Sequence, residues 1–203
     1  MYMARSLFAD VRLRIRPHQG SQMRLFLTGV SCVGKTTIGK KLGKLLGASF
    51  FDLDNEIESF FGTSIERLQN RFLTMHSFRN EAVKALVDLL NRPESQDCVI
   101  ALPPSGLMGG YLRAIKKANG TTVVVTDKPE NILQRIRFYD IDSRLIEKKL
   151  TPKEKKLYLR EIKKDITYFR TSYQRANLQI DISGLNADKA ARKVKKAIEQ
   201  LDG

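Results

Sequence analysis

The stretch Gly29-Val30-Ser31-Cys32-Val33-Gly34-Lys35-Thr36 fits the pattern G-x-x-x-x-G-K-[ST] at every fixed position. It stands directly after a β-rich run at 24–28 and directly before a helical pattern reaching to about residue 46. That strand-turn-helix setting separates a phosphate-binding loop from a chance glycine-rich turn. In such a loop, successive backbone N–H groups and the helix N-terminus form a positive concavity for a β-phosphate. Lys35 would reach β- and γ-oxygens, and Thr36, with Thr37 beside it, would offer a hydroxyl to magnesium. The expected nucleotide-binding residues are therefore Gly29, Val30, Ser31, Cys32, Val33, Gly34, Lys35, Thr36 and Thr37, with ATP and Mg2+ as their ligands.

Outward from this loop, short β-rich runs alternate with helical stretches from Met23 onward, the signature of a parallel sheet covered by helices on both faces. Strands are predicted at 24–28, 49–54, 98–102, 121–126 and 178–182. Helices are predicted at 77–90, near 111–117, at 129–138, from the capping box Thr151-Pro152-Lys153-Glu154 to about 168, and from Asn186 to about 201. Thr63-Ser64-Ile65-Glu66 carries a further capping-box pattern.

At 203 residues, one domain spanning 23–203 is expected. A hydrophobic fraction of 42% with 29% charged residues is that of a soluble globular protein, and no membrane partner is expected. Cys32 and Cys98 share no metal-ligand spacing, so a reducing, cytoplasmic setting fits best. The net charge of +14 is compatible with nucleic acid, an anionic membrane surface or an anionic small substrate. Much of it lies between 148 and 164, in a pattern that reads as a solvated helix face. No series of aromatic residues interleaves with those lysines as stacking platforms would, so nucleic acid is not the expected partner. A monomer is expected. Residues 1–22 hold four arginines and one aspartate and read as a disordered extension, or as upstream sequence if the start is Met23. Their few acidic residues also suit a transit peptide.

Three further segments, Asp52-Leu53-Asp54-Asn55-Glu56-Ile57, Gly62-Thr63-Ser64-Ile65 and Phe78-Arg79, follow the loop in an order and spacing that resembles the shikimate kinase family, from about Met23 to the C-terminus. The resemblance implies a three-layer α/β P-loop kinase fold with a five-stranded parallel sheet in the order 2-3-1-4-5, helices on both faces, and a helical lid at about 139–168. It implies transfer of the γ-phosphate of ATP to a hydroxyl of shikimate or a similar small, anionic hydroxylated acid. Asp52 would hold magnesium through water, and Asp54 would accept the proton of the attacking hydroxyl; the two are expected to alternate along the end of a strand. Arg79 and Arg170 would bind the acceptor carboxylate, a task suited to the planar guanidinium fork. Arg137 would lie beside the adenine, with Arg135 as its rival, and Arg144 would come from the lid to the phosphates, with Lys148 and Lys149 placed to meet them.

The chain departs from the family in several places. Ala82 stands where the family has glutamate, and Pro103-Pro104-Ser105 replace three glycines whose N–H groups contact substrate. Proline has no N–H to donate, which leaves Ser105 and Gly106 as substitute donors. The lid segment is also longer and more basic. Two other readings follow: a kinase of another polyol acid, as gluconate kinase is, and an ATP-binding regulatory or nucleic-acid-binding module without transfer.

Overall fold

The computed structural model describes residues 23–201; the expected extension at 1–22 lies outside the described residues. β1 (Arg24–Thr28) is buried along its whole length, as a strand flanked by strands on both sides should be, with the Arg24 guanidinium donating to the Ser95 and Leu90 carbonyls. It pairs in parallel with β3 (Cys98–Ala101) on one side and β4 (Thr121–Thr126) on the other, Leu25 standing opposite Val99 and Thr121. β2 (Ser49–Asp52) extends the sheet beyond β3 and β7 (Leu178–Asp181) beyond β4, giving five parallel strands in the order β2-β3-β1-β4-β7. Since β7 is the last of the five in sequence, this is the expected order.

Helices cover both faces, as right-handed crossovers between parallel strands require. α1 (Lys35–Leu46) packs against α8 (Ala187–Glu199), with Lys41 and Asp188 paired at 2.7 Å. α4 (Met75–Leu90) packs against α2 (Leu53–Phe61) and α5 (Gly109–Ala118). Between α2 and α4 lies the short α3 (Ile65–Gln69), capped by the Ser64 hydroxyl, which accepts from Arg67 N–H.

Several boundaries differ from expectation. The second strand stops at Asp52 because that side chain accepts the N–H of Asp54 at 3.2 Å and caps α2. Asp54 therefore sits in the first turn of a helix and not on a strand end. The helix expected at 129–138 is only α6 (Pro129–Leu133); the chain then turns into an antiparallel hairpin, β5 (Phe138–Tyr139) with β6 (Leu145–Ile146). The next helix, α7 (Pro152–Tyr173), opens on the capping box formed by Thr151 and Glu154 but runs past the expected end.

The hairpin tip rests on α2 and α3. Ser64 donates to the Ile141 carbonyl, Arg67 pairs with Asp142 at 2.6 Å, and Ser143 donates to Glu58. The hairpin and α7 together extend over the carboxyl edge of the sheet, the side on which open α/β sheets bind ligands.

Candidate active site

The loop after β1 is shaped by two residues that need glycine. Gly29 has φ +148°, and a Cβ there would meet the Val125 carbonyl oxygen at 2.4 Å; Gly34 has φ +113° where the chain enters α1. Between them Cys32 adopts a left-handed φ of 60° without being glycine. Lys35 curls back over the loop, donating to the Gly29 and Val30 carbonyls at 3.0 Å each. Burial lowers its pKa, opposed by the nearby Asp54 and Asp52 carboxylates.

The Thr36 hydroxyl donates to Asp52 at 2.6 Å, so a hydroxyl and a carboxylate stand side by side at the head of α1. These are hard oxygen donors of the kind magnesium takes when phosphate and water supply the rest of its shell, and the residues fit that ion. Among the described residues no cluster of three or more His, Cys, Asp or Glu could hold a metal unaided.

Asp54 faces the cleft with its surface open on that side. Crowding by protein, then the Asp52 charge, push its carboxyl up to about 6, with Lys35 acting the other way and Glu58 adding to the rise. Opposite the head of α1, Arg135 braces the phosphate loop. Its guanidinium donates to the Val33 carbonyl at 3.0 Å and pairs at 2.6 Å with Asp127, whose side chain is fully buried at the end of β4. Burial alone would raise the Asp127 pKa, but hydrogen bonds from Asn131, Arg135 and the Lys128 N–H overcome it and hold the carboxyl below its ordinary value.

Two cavities meet at this edge, sharing Ser31 and Asp165. The smaller, about 240 Å³, lies between Val30, Ser31 and Cys32 of the loop and Arg137, Phe138 and Tyr158. The larger, about 460 Å³, brings together Asp54, Arg79, Ser105 and the prolines Pro103 and Pro104, and takes Asp165, Tyr168 and Phe169 from α7. Asp54, Arg79 and Ser105 thus share one cavity next to the phosphate loop.

Other expected site residues lie elsewhere. Gly106 is buried, and its N–H closes a turn onto the Pro103 carbonyl at 2.9 Å, so it has no free donor to offer. Arg170 is exposed and lines neither cavity, because helical phase turns Asp165 and Phe169 inward and carries the next position away. Arg144 is exposed in the hairpin turn, where its backbone N–H donates to Asp140 at 2.9 Å, and it too lines neither cavity. Lys148 pairs with Glu154 at 2.9 Å and lies over the Phe138 ring, 5.2 Å from its centroid. Arg137 sits at the smaller cavity, while its rival Arg135 holds the loop.

Sequence reasoning missed Tyr111, which lines the larger cavity from the first turn of α5. It also missed Asp127 and the contribution of Asp165, Tyr168 and Phe169. A polar residue immediately after β4 was a usable signal for Asp127; nothing in the spacing distinguished Tyr111 from an ordinary core position.

A glycine-shaped phosphate loop at the carboxyl edge of a parallel sheet in this order, with a paired threonine and aspartate beside it, defines a protein of the P-loop kinase fold. A family model described as shikimate kinase matches residues 31–199, and the chain belongs to the shikimate kinase family. It is 29% identical over 191 residues to the shikimate kinase of Chlorobaculum parvum, covering 88% of this chain and 95% of that one. Against the shikimate kinase of Chlorobium limicola it is 35% identical over 112 residues, 55% of this chain; the match spans about half of that relative, 54%. The crystal structure of shikimate kinase from Bacteroides thetaiotaomicron aligns with a TM-score of 0.71 at 21% identity, covering 88% of this chain and 99% of that one, a likeness of fold. No helix among the described residues is long and apolar enough to cross a membrane.

Proposed function

We propose that this protein is an ATP-dependent small-molecule kinase that transfers the γ-phosphate to a hydroxyl of shikimate or a similar hydroxylated carboxylic acid. The observation that carries the reading is the cavity lined at once by Ser31 of the phosphate loop, the Asp54 carboxylate and the Arg79 guanidinium. Such a cavity suits an acceptor held by its carboxylate with one hydroxyl turned toward the nucleotide. Thr36 and Asp52 would hold magnesium, which supplies charge neutralisation at the β- and γ-oxygens when bound.

Lys35 exchanges its two carbonyl contacts for phosphate oxygens, and Asp54 orients the acceptor hydroxyl and takes its proton as the bond to phosphorus forms. The hairpin and α7 serve as the lid, excluding water so that ATP is not hydrolysed instead. A second reading, transfer to another hydroxy acid, is favoured by Pro103 and Pro104, whose missing N–H groups remove donors from the acceptor wall.

The test is ADP release coupled to a spectrophotometric readout, with shikimate and a panel of hydroxy acids including gluconate. Acceptor-dependent, saturable ADP formation is expected. Mg-ATP binding without acceptor-dependent turnover on any member would sink the kinase reading in favour of a nucleotide-binding module.

A further inference from the structure

Helix α7 is rich in lysine and arginine, yet its acids are not all neutralised. Glu154 pairs with Lys148 and Glu161 with Lys164, each at 2.9 Å. Asp165 makes no ion pair or hydrogen bond among the described residues. The positions three and four residues away, where a helical partner would stand, hold Glu161, Ile162, Tyr168 and Phe169, none of them a cation. Partial burial, then the Glu161 charge, raises the Asp165 pKa, as expected of a carboxylate that faces no cation.

Asp165 lines both cavities, as does Ser31 of the phosphate loop. The larger cavity is also lined by Arg79, its one cation, which likewise has neither an ion pair nor a hydrogen bond among the described residues. A guanidinium and a carboxylate that share a cavity of about 460 Å³ without pairing with each other suit a ligand that brings both opposite charges. An acid with no other charge would satisfy Arg79 and leave Asp165 facing the phosphates that arrive on the loop, like charge against like. Tyr168 and Phe169, on the next turn of α7, line the same cavity with the ring surface against which an ammonium can lie. Gln69 and Ser105 are there to meet neutral hydroxyls.

We propose that Asp165 is a specificity-determining residue that receives the ammonium of a zwitterionic acceptor, a hydroxy amino acid whose carboxylate goes to Arg79. This deepens the phosphotransfer reading above and rests on it. The acceptor hydroxyl oxygen bonds to the γ-phosphorus, its proton passes to Asp54 and ADP leaves, while the ammonium keeps its protons.

The test compares kcat/KM for ADP release by the full chain across matched acids that differ only in the group beside the carboxylate. One set is L-homoserine, 2,4-dihydroxybutanoate and 4-hydroxybutanoate; the other is L-serine, glycerate and 3-hydroxypropanoate, with shikimate run alongside. On at least one scaffold the amino acid is expected to exceed both of its counterparts about thirtyfold, the scale of a hydrogen bond between charged groups, and to exceed shikimate. Asp165→Asn is expected to bring that ratio to within about threefold of one. Because the side chain is exposed and bonded to nothing in the free protein, this variant should keep the wild-type melting temperature. A hydroxyl compound matching the amino acid, a ratio that survives Asp165→Asn, or an equal loss for every acceptor in that variant would each overturn the inference while sparing the kinase reading. Turnover confined to shikimate or other amine-free acids would do the same. No acceptor-dependent turnover with any compound, by a chain that binds MgADP, would bring down both.

Discussion

The nucleotide side and the acceptor side of the cleft are built on opposite plans. Around the phosphate loop the polar groups are already occupied by protein: Lys35 by two loop carbonyls, Thr36 by Asp52, Arg135 by Val33 and Asp127. On the acceptor side, Arg79 Nε and the Tyr111 hydroxyl are buried with no hydrogen-bond partner among the described residues. The loop side chains are held by protein contacts, and the acceptor wall keeps polar atoms that no such contact holds among the described residues. Substitutions on the first side should damage chemistry or stability, while those on the second should change which molecule binds.

The sharpest way to break this contrast is Lys35→Ala, expected to reduce turnover about a thousandfold, since one donor aimed at developing charge is removed. Steady-state ADP release checks it, and turnover within tenfold of wild type would remove Lys35 from the reaction.

Asp54→Asn comes next, with turnover down about a hundredfold and MgADP affinity unchanged by calorimetry. It should also shift stability. The native Asp54 carboxyl titrates at about 6 against an ordinary 3.8, so the folded state binds the proton more readily and stability falls as pH rises through that window. Melting curves without magnesium should show the asparagine variant losing this fall, ending more stable than wild type at neutral pH.

Asp127→Asn tests the brace on the loop. The carboxyl lies below its ordinary value, so its contribution is present above about pH 4 and disappears as pH falls through the folded value. Urea unfolding at pH 7 should register a loss of about 1–3 kcal/mol, and the difference from wild type should shrink in acid.

The smallest effect belongs to Cys32→Gly. Glycine relieves the left-handed backbone at φ 60° but gains freedom in the unfolded chain, so stability should change by no more than about 1 kcal/mol. A larger loss would mean that the thiol itself packs the loop.

What could be read from the sequence follows the same division. The loop and the cap at Thr151 are written in contiguous residues, where chemistry and spacing coincide, whereas the strand order followed from the family resemblance. The boundary at Asp52 was misjudged because one side-chain hydrogen bond decides it, and strand and helix periods overlap at that junction. The hairpin of β5 and β6 has two residues in each strand, too few for any alternation to register. Arg170 was assigned from the family resemblance, with Tyr173 and Ala176 following it before the last strand, but α7 runs on to Tyr173 and leaves that side chain exposed. Tyr111 was invisible for a different reason. An unpaired hydroxyl is a property of its surroundings and leaves no mark in the local sequence.

The contacts of the hairpin tip have a mechanical consequence. Ser143 is bonded to Glu58, one helical turn along α2 from Asp54, and Arg67 and Ser64 tie down the neighbouring residues. Lifting the hairpin tip would strip those bonds from the helix pair that includes α2, which carries Asp54. On the proposed reading, entry of a substrate past the hairpin and the setting of Asp54 would be coupled through these contacts.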